Sequence, residues 1–336
     1  MIAKMTNFAE FLKVVVMNKL IQFFRDWTLP ISMIVGASAY MIWHQFDLSV
    51  ETHRIANKTV SIAQPLMIFM MLFISFCKVD PKELRFIKWH RKGLLIQVLS
   101  FVAGALILIY FPEVKQSCGA VIEAAMICMI CPTATAAAVV TQKLNGNATT
   151  LVTYTTLINI ANAIVVSAFV PLIHPEGGVS FSSAFFSIMA KVFPMLICPL
   201  FLAAIVRYFF PKFHSLVLKT KDLAFYIWVV SLALAIAVTA KGFVHSDVSV
   251  WVMVGIAIAS LLSCAVQFVV GKVIGKVDDD TISGGQALGQ KNTVFAIWMG
   301  YTFFIPITSL AGGFYSLWHN AFNSWQLYQV KHKGKL

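Results

Sequence analysis

The chain has 336 residues, of which 59% are hydrophobic and only 12% charged, with a mean hydropathy of +0.81. Soluble domains carry about 25% charged residues, so this supply cannot make a water-soluble surface and the class is an all-α membrane protein. The net charge of +12 is spread over many loops, which points to basic helix ends and not to nucleic acid. Most of the six cysteines fall inside apolar runs, where a thiol packs as a small hydrophobe and no disulfide framework is implied.

Residues 1–28 form an amphipathic segment with Lys4, Lys13, Lys19 and Arg25, and they lack the continuous apolar core of a cleavable signal. Ten spans of bilayer length follow, near 29–44, 60–77, 93–111, 117–142, 149–173, 184–210, 223–241, 249–275, 282–304 and 306–329. Turn residues separate them: Pro30, Asp80 and Pro81, Pro112, the run Asn145-Gly146-Asn147, and Pro175 with Gly177 and Gly178. Residues 82–92 are basic and contain aromatics, as an interfacial segment does. Residues 330–336 are a basic tail.

With the N-terminus inside, roughly twenty of the 26 Lys and Arg fall on inner segments, against Arg54, Lys58, Lys115 and Lys241 outside. The expected location is therefore an inner (plasma) membrane, of bacterial type, with both termini cytoplasmic. Span order suggests two five-helix repeats of opposite orientation, 29–173 and 181–329. Pro30 and Pro194 mark the first span of each, and Lys78 and Lys241 end the second. Inverted five-helix repeats are a recurrent transporter design.

Spans four and nine hold corresponding places and are the most interrupted. Span four reads Cys131-Pro132-Thr133-Ala134-Thr135, where Pro132 removes a helix donor. Span nine reads Gly284-Gly285-Gln286-Ala287-Leu288-Gly289-Gln290-Lys291-Asn292-Thr293, a polar run too costly to expose to lipid. Broken spans leave unpaired backbone groups, with half-helix N-termini attracting anions and C-termini attracting cations. The predicted substrate-binding residues are Pro132, Thr133, Thr135, Thr155, Asn159, Gln286, Gln290, Lys291, Asn292 and Thr293. The bland reading is a proline kink and a loop between shorter spans.

Thr155, Asn159 and Asn162 share one face of span five, either a polar wall beside the break or ordinary helix-packing contacts. Glu123 precedes the break and either pairs with Lys291, relays protons or lies near the outer surface. Gln97 and Gln267 occupy spans three and eight, corresponding helices of the two halves, and either line the cavity or bond between helices. Lys191 is read as marking the interface at the start of span six. Cys128 and Cys131 form a lone pair at CxxC spacing, a weak metal signal that is outweighed by the reading as buried apolar thiols. No metal site and no cofactor are expected, apart from a sodium ion. No catalytic constellation is visible, so no enzyme is expected.

Residues Cys131 to Thr135 through Gly146-Asn147, the run Gly289 to Thr293 with Ala296, and Phe69 to Leu84 ending in Lys78-Val79-Asp80-Pro81 together resemble the bile acid:sodium symporter family. The resemblance implies spans 3–5 and 8–10 as a core, with four and nine crossing, and spans 1, 2, 6 and 7 as a panel that rocks against it. Where relatives with two sodium sites have Ser-Asn, this chain has Ala137 and Ala138. Where they have the Glu and Gln of span nine, it has Ala287 and Lys291. Thr155 and Gln97 match ligand positions without carrying charge. The candidate ion-coupling residues are thus Lys291, Glu123, Gln97 and Thr155.

The expected function is secondary active transport of a small organic anion, with sodium-independent or proton-coupled operation favoured over a sodium symporter. Lys291 would supply the ion's charge, unless it snorkels to the surface or pairs with a carboxylate. Lesser alternatives are an arsenite-type efflux permease, distantly related and using a Cys near the span-four break, and a membrane-embedded enzyme. The expected partners are the substrate and membrane lipid; the sequence does not give the oligomeric state.

Overall fold

The structure is a computed structural model that describes residues 28–46, 48–175, 177–220, 223–245 and 248–333. The predicted amphipathic segment lies outside the described residues except for Thr28, as do the last three residues of the tail. The helices are α1 (Thr28–Gln45), α2 (Val50–Cys77), α3 (Lys88–Tyr110), α4 (Pro112–Ile130), α5 (Ala137–Lys143), α6 (Ala148–Ile173), α7 (Phe181–Leu196), α8 (Cys198–Phe209), α9 (Pro211–Lys219), α10 (Leu223–Val244), α11 (Val250–Gly275), α12 (Thr281–Gly289), α13 (Thr293–Phe303) and α14 (Leu310–Lys333). Among the described residues the one strand-type pairing is an isolated bridge between Thr133 and Lys291.

Among the described residues six stretches are long and apolar enough to cross a membrane: Val50–Cys77, Lys88–Tyr110, Ala148–Ile173, Phe181–Phe209, Leu223–Val244 and Val250–Asp278. Helices over the other predicted spans are shorter, broken or more polar, so this measure falls short of the ten spans. The reason is local. Spans four and nine are interrupted, α12 and α13 having only 9 and 11 residues. Helix α14 carries the buried polar residues Ser316, His319, Asn323 and Gln326.

Several boundaries differ from expectation. Helix α2 begins at Val50, ten residues before the predicted span, because the Ser49 hydroxyl accepts from Thr52 N at 3.2 Å and caps it. Helix α3 begins at Lys88 and absorbs the end of the 82–92 segment. Span six is two helices, joined at Ile197 just before Pro199. Pro194 therefore lies in the last turn of α7 and not near the start of its span, which weakens it as a partner of Pro30. Asn145 turns with φ 64° and Gly178 with φ 81°, where turns were predicted.

Helix α11 shows how this chain inverts the soluble pattern. Val254, Ile258, Leu262, Val266, Val269 and Val273 form an exposed apolar stripe, while Ser260, Cys264, Gln267 and Gly271 are buried. Such a stripe suits hydrocarbon and not water. The buried face is narrow enough for backbone contact with α12. A Cβ on Gly271 would lie 2.3 Å from Gly284 O, and one on Gly284 would lie 2.4 Å from Gly271 O. Small residues permit this approach where lipid supplies no hydrophobic drive between helices.

Two packing groups result. Helices α1, α2 and α10 lie side by side, with α7 and α8 against α2. Helices α3, α4, α6, α11, α12 and α14 surround the two breaks. The groups meet where α7 packs on α6 and α10 packs on α13.

Polar clasps secure both ends. At the end bearing the α2–α3 connection, Asp278 accepts from Trp89 N at 2.8 Å and Asp280 accepts from Trp89 Nε1 at 3.1 Å. Asp280 also accepts from the Thr150 hydroxyl. There Arg207 pairs with Asp80 at 2.9 Å. At the opposite end Lys115 donates to Ile173 O, and Glu123 holds His174 and the Ile305 N–H at 2.8 and 2.9 Å.

Candidate functional site

The site is built from two interrupted helices. Pro132 has no N–H to offer Cys128 O, and with α4 ending at Ile130 three successive carbonyls lack helical donors. Each is met by a side chain from elsewhere. Cys128 O accepts from Gln267 Nε2 of α11 at 3.1 Å. Met129 O accepts from Gln97 Nε2 of α3 at 2.7 Å and from Lys291 Nζ at 3.3 Å. Ile130 O accepts from Asn162 Nδ2 of α6 at 3.2 Å.

The second break is closed in the same manner. Ala287 O accepts from the Thr133 hydroxyl at 2.7 Å, and Gly289 O accepts from the Tyr315 hydroxyl at 2.9 Å. Backbone bonds join the breaks directly: Ala134 N donates to Gln290 O at 2.8 Å and Asn292 N donates to Pro132 O at 2.9 Å. The Cys131 thiol donates to Asn292 O at 3.1 Å, and Asn292 Oδ1 caps α13 by accepting from Phe295 N at 3.2 Å. The two chains thus cross as a short antiparallel bridge. The carbonyl ends of α4 and α12 and the amide end of α13 converge on it.

The two glutamines link the halves. Gln97 Nε2 also donates to Gln267 Oε1 at 3.0 Å, Tyr154 donates to Gln97 Oε1, and Gln267 Nε2 donates to the Tyr315 hydroxyl at 3.1 Å. All four side chains are buried. Of the two readings offered for Gln97 and Gln267, the geometry supplies hydrogen bonding between helices.

Lys291 is 1% exposed. Its ammonium faces the carbonyl end of α4, where the helix dipole favours a cation. It does not snorkel, and among the described residues no carboxylate pairs with it. Glu123 does not reach it; that carboxylate is fully buried and bonded to His174 and Ile305.

Pro132, Thr133, Gln290, Lys291 and Asn292 meet at the crossing, with Thr293 buried as the first residue of α13. Thr135 lies half-buried in the turn before α5. Gln286 points elsewhere, donating to Asn323 Oδ1 of α14 at 2.9 Å. Thr155 spends its hydroxyl on Leu151 O of its own helix, and Thr153 and Thr156 do likewise, so the predicted polar wall reduces to its asparagines. Asn159 reaches Leu196 O at the end of α7 at 3.3 Å. The amide oxygens of Asn159, Asn162 and Gln290 are buried without a partner. Lys191 lies mid-way along α7, its ammonium 5.9 Å from the Phe303 ring centre, and so does not mark a helix start. Tyr154, Tyr315 and the Asp278–Asp280 clasp were not singled out from the sequence. Tyrosines inside otherwise apolar spans were the available signal.

A polytopic apolar bundle whose two broken helices cross at a buried polar bridge is the frame of a membrane transporter. The profile of the Sodium Bile acid symporter family matches residues 65–246, more than half of the chain. The chain belongs to that family and is an integral membrane transporter of the bile acid symporter kind. A search of curated proteins finds no match.

Proposed function

We propose that this protein carries a small organic anion across the membrane by alternating access and does so without a sodium ion at the crossing. The observation that carries the reading is the buried Lys291 ammonium at the carbonyl end of α4. A sodium ion about 4 Å from that ammonium would meet a repulsion of roughly 4 kcal/mol at an effective dielectric of 20, about a thousandfold in affinity. Ala137, Ala138 and Ala287 offer no side-chain oxygen in compensation. Lys291 instead occupies the position in which an ion would neutralise the carbonyl ends.

In this reading ten spans form two inverted repeats, 29–173 and 181–329. The α1, α2, α7–α8 and α10 group rocks against the group that carries the crossing. The anion is held by Lys291 and the amide end of α13, with Thr133, Gln290 and Asn292 at the same crossing and Thr135 in the turn that follows it. Gln97 serves as a strut and not as an ion ligand. The protein resides in a bacterial inner membrane with both termini cytoplasmic, which the distribution of Lys and Arg supports.

Uptake of a panel of labelled organic anions into proteoliposomes tests the proposal. At least one anion should enter faster than into protein-free vesicles, and Lys291→Met should abolish that uptake in protein that remains folded. Transport of neutral or cationic analogues alone, or full activity of Lys291→Met, would overturn it.

A further inference from the structure

A cavity of about 790 Å³ lies at the end of the bundle bearing the α1–α2 connection, between α1, α2 and α10, with Tyr301 of α13 on one side. Its position separates it from the crossing: Tyr301 is eight residues beyond Thr293, about 12 Å along α13. Its volume falls in the range of sites that take ring-sized ligands.

The lining has a consistent chemistry. Lys241, in the last turn of α10, is half-buried and bonds Asn57 Oδ1 at 2.7 Å. Three helices each bring an imidazole: His44 at the end of α1, His53 in α2 and His245 just after α10. The His44 and His245 rings meet edge to face at 5.2 Å. The Tyr40 hydroxyl lies 3.3 Å from His245 Nδ1, and Trp43 Nε1 donates to His53 Nδ1 at 3.4 Å. Among the described lining residues none carries a carboxylate. Nearby Glu51 is committed to Arg54 through two bonds, at 2.7 and 2.8 Å. Ala39, Ala56, Val60, Leu234 and Ala237 supply an apolar floor.

A helix-capping role would explain Lys241 alone, since a cation is favoured at a helix C-terminus. It would not explain why three imidazoles and an indole gather on the same cavity. An ammonium and three imidazoles above an apolar floor, flanked by aromatic faces, match one kind of molecule.

We propose that this cavity is a second binding site, apart from the crossing, for an organic anion with one acidic head group on a flat ring body. Lys241 and the His44–His245 pair hold the head group. Tyr40, Trp43 and Tyr301 flank the ring.

The test is equilibrium binding to the full-length protein in lipid nanodiscs, and it requires no transport. The probes are 2-naphthoate and its neutral isostere 2-naphthamide. The wild type should bind naphthoate saturably and at least about tenfold more tightly than the amide. Lys241→Gln should remove that preference and leave amide binding unchanged. His245→Ala should reduce the preference as well, and it replaces Lys241→Gln if that variant does not fold. A photoreactive azidonaphthoate should label peptides within 39–60 or 234–245. Equal binding of the two probes, an undiminished preference in the variants, or labelling confined to 129–135 and 286–293 would each overturn the proposal. A failure here leaves uptake through the crossing untouched, and loss of uptake leaves this binding untouched.

Discussion

Replacing Gln97 by Leu changes the side-chain volume little and removes the strut between the two halves. Three buried groups are affected. Met129 O loses its 2.7 Å donor and keeps only Lys291 at 3.3 Å, Gln267 Oε1 loses its 3.0 Å donor, and the Tyr154 hydroxyl loses its acceptor. A buried polar group left unpaired costs about 1–3 kcal/mol in proteins generally, whereas hydrogen bonds inside membranes average about 0.6 kcal/mol. The two groups left without a partner, Gln267 Oε1 and the Tyr154 hydroxyl, give about 2–6 kcal/mol at the larger figure and about 1 kcal/mol at the smaller. The assay is reversible unfolding in mixed micelles, followed by tryptophan fluorescence. Gln267→Leu should be comparably harmful, because it strips Cys128 O and the Tyr315 hydroxyl. The double variant should cost less than the sum of the singles by about 0.5–3 kcal/mol, as expected of residues in one network. A Gln97→Leu protein within about 0.5 kcal/mol of wild type, or strictly additive singles, would refute the assignment of Gln97 as a strut.

Asp280→Ala should lower stability by about 1–4 kcal/mol through loss of the bonds to Trp89 Nε1 and Thr150; Asp279→Asn, exposed and in a left-handed conformation that Asn tolerates, should be near neutral in the same thermal assay. The Asp80 carboxyl is held below its ordinary range, first by the Lys82 N–H and then by the Arg207 guanidinium. Its stabilising effect is present above the ordinary carboxylate value and is lost as pH falls through the lowered one. Arg207→Met should therefore flatten the acid limb of a stability–pH curve while leaving its neutral-to-basic portion parallel to wild type; an unchanged acid limb would count against the pair.

What the sequence revealed best was whatever depends on local chemistry. Pro132 removes a helical donor and is followed by two threonines, so the break after Ile130 was legible, as were the turns at Asn145 and Gly178; Pro65 and Pro171, in apolar surroundings, stay inside α2 and α6. The polar run from Gln286 to Thr293 was equally plain, because lipid cannot accept it. Partner choice was not legible. Nothing local says that Gln97 reaches Met129 and Gln267, or that Gln286 turns to Asn323, since both depend on how α3, α12 and α14 are stacked. Thr155 misled for a different reason: a Thr on a helix can satisfy itself on its own backbone. The cavity beside Lys241 was hidden because its imidazoles stand at positions 44, 53 and 245 and converge only when α1, α2 and α10 pack together.

The central claim is that the Lys291 ammonium stands in for a coupling sodium ion at the crossing. Initial uptake of the transported anion into proteoliposomes, compared in sodium and potassium buffers of equal pH and membrane potential, tests it directly. The account predicts rates equal within about twofold, a difference of less than 0.5 kcal/mol. A rise of about tenfold or more in sodium, saturating with sodium concentration, would contradict it.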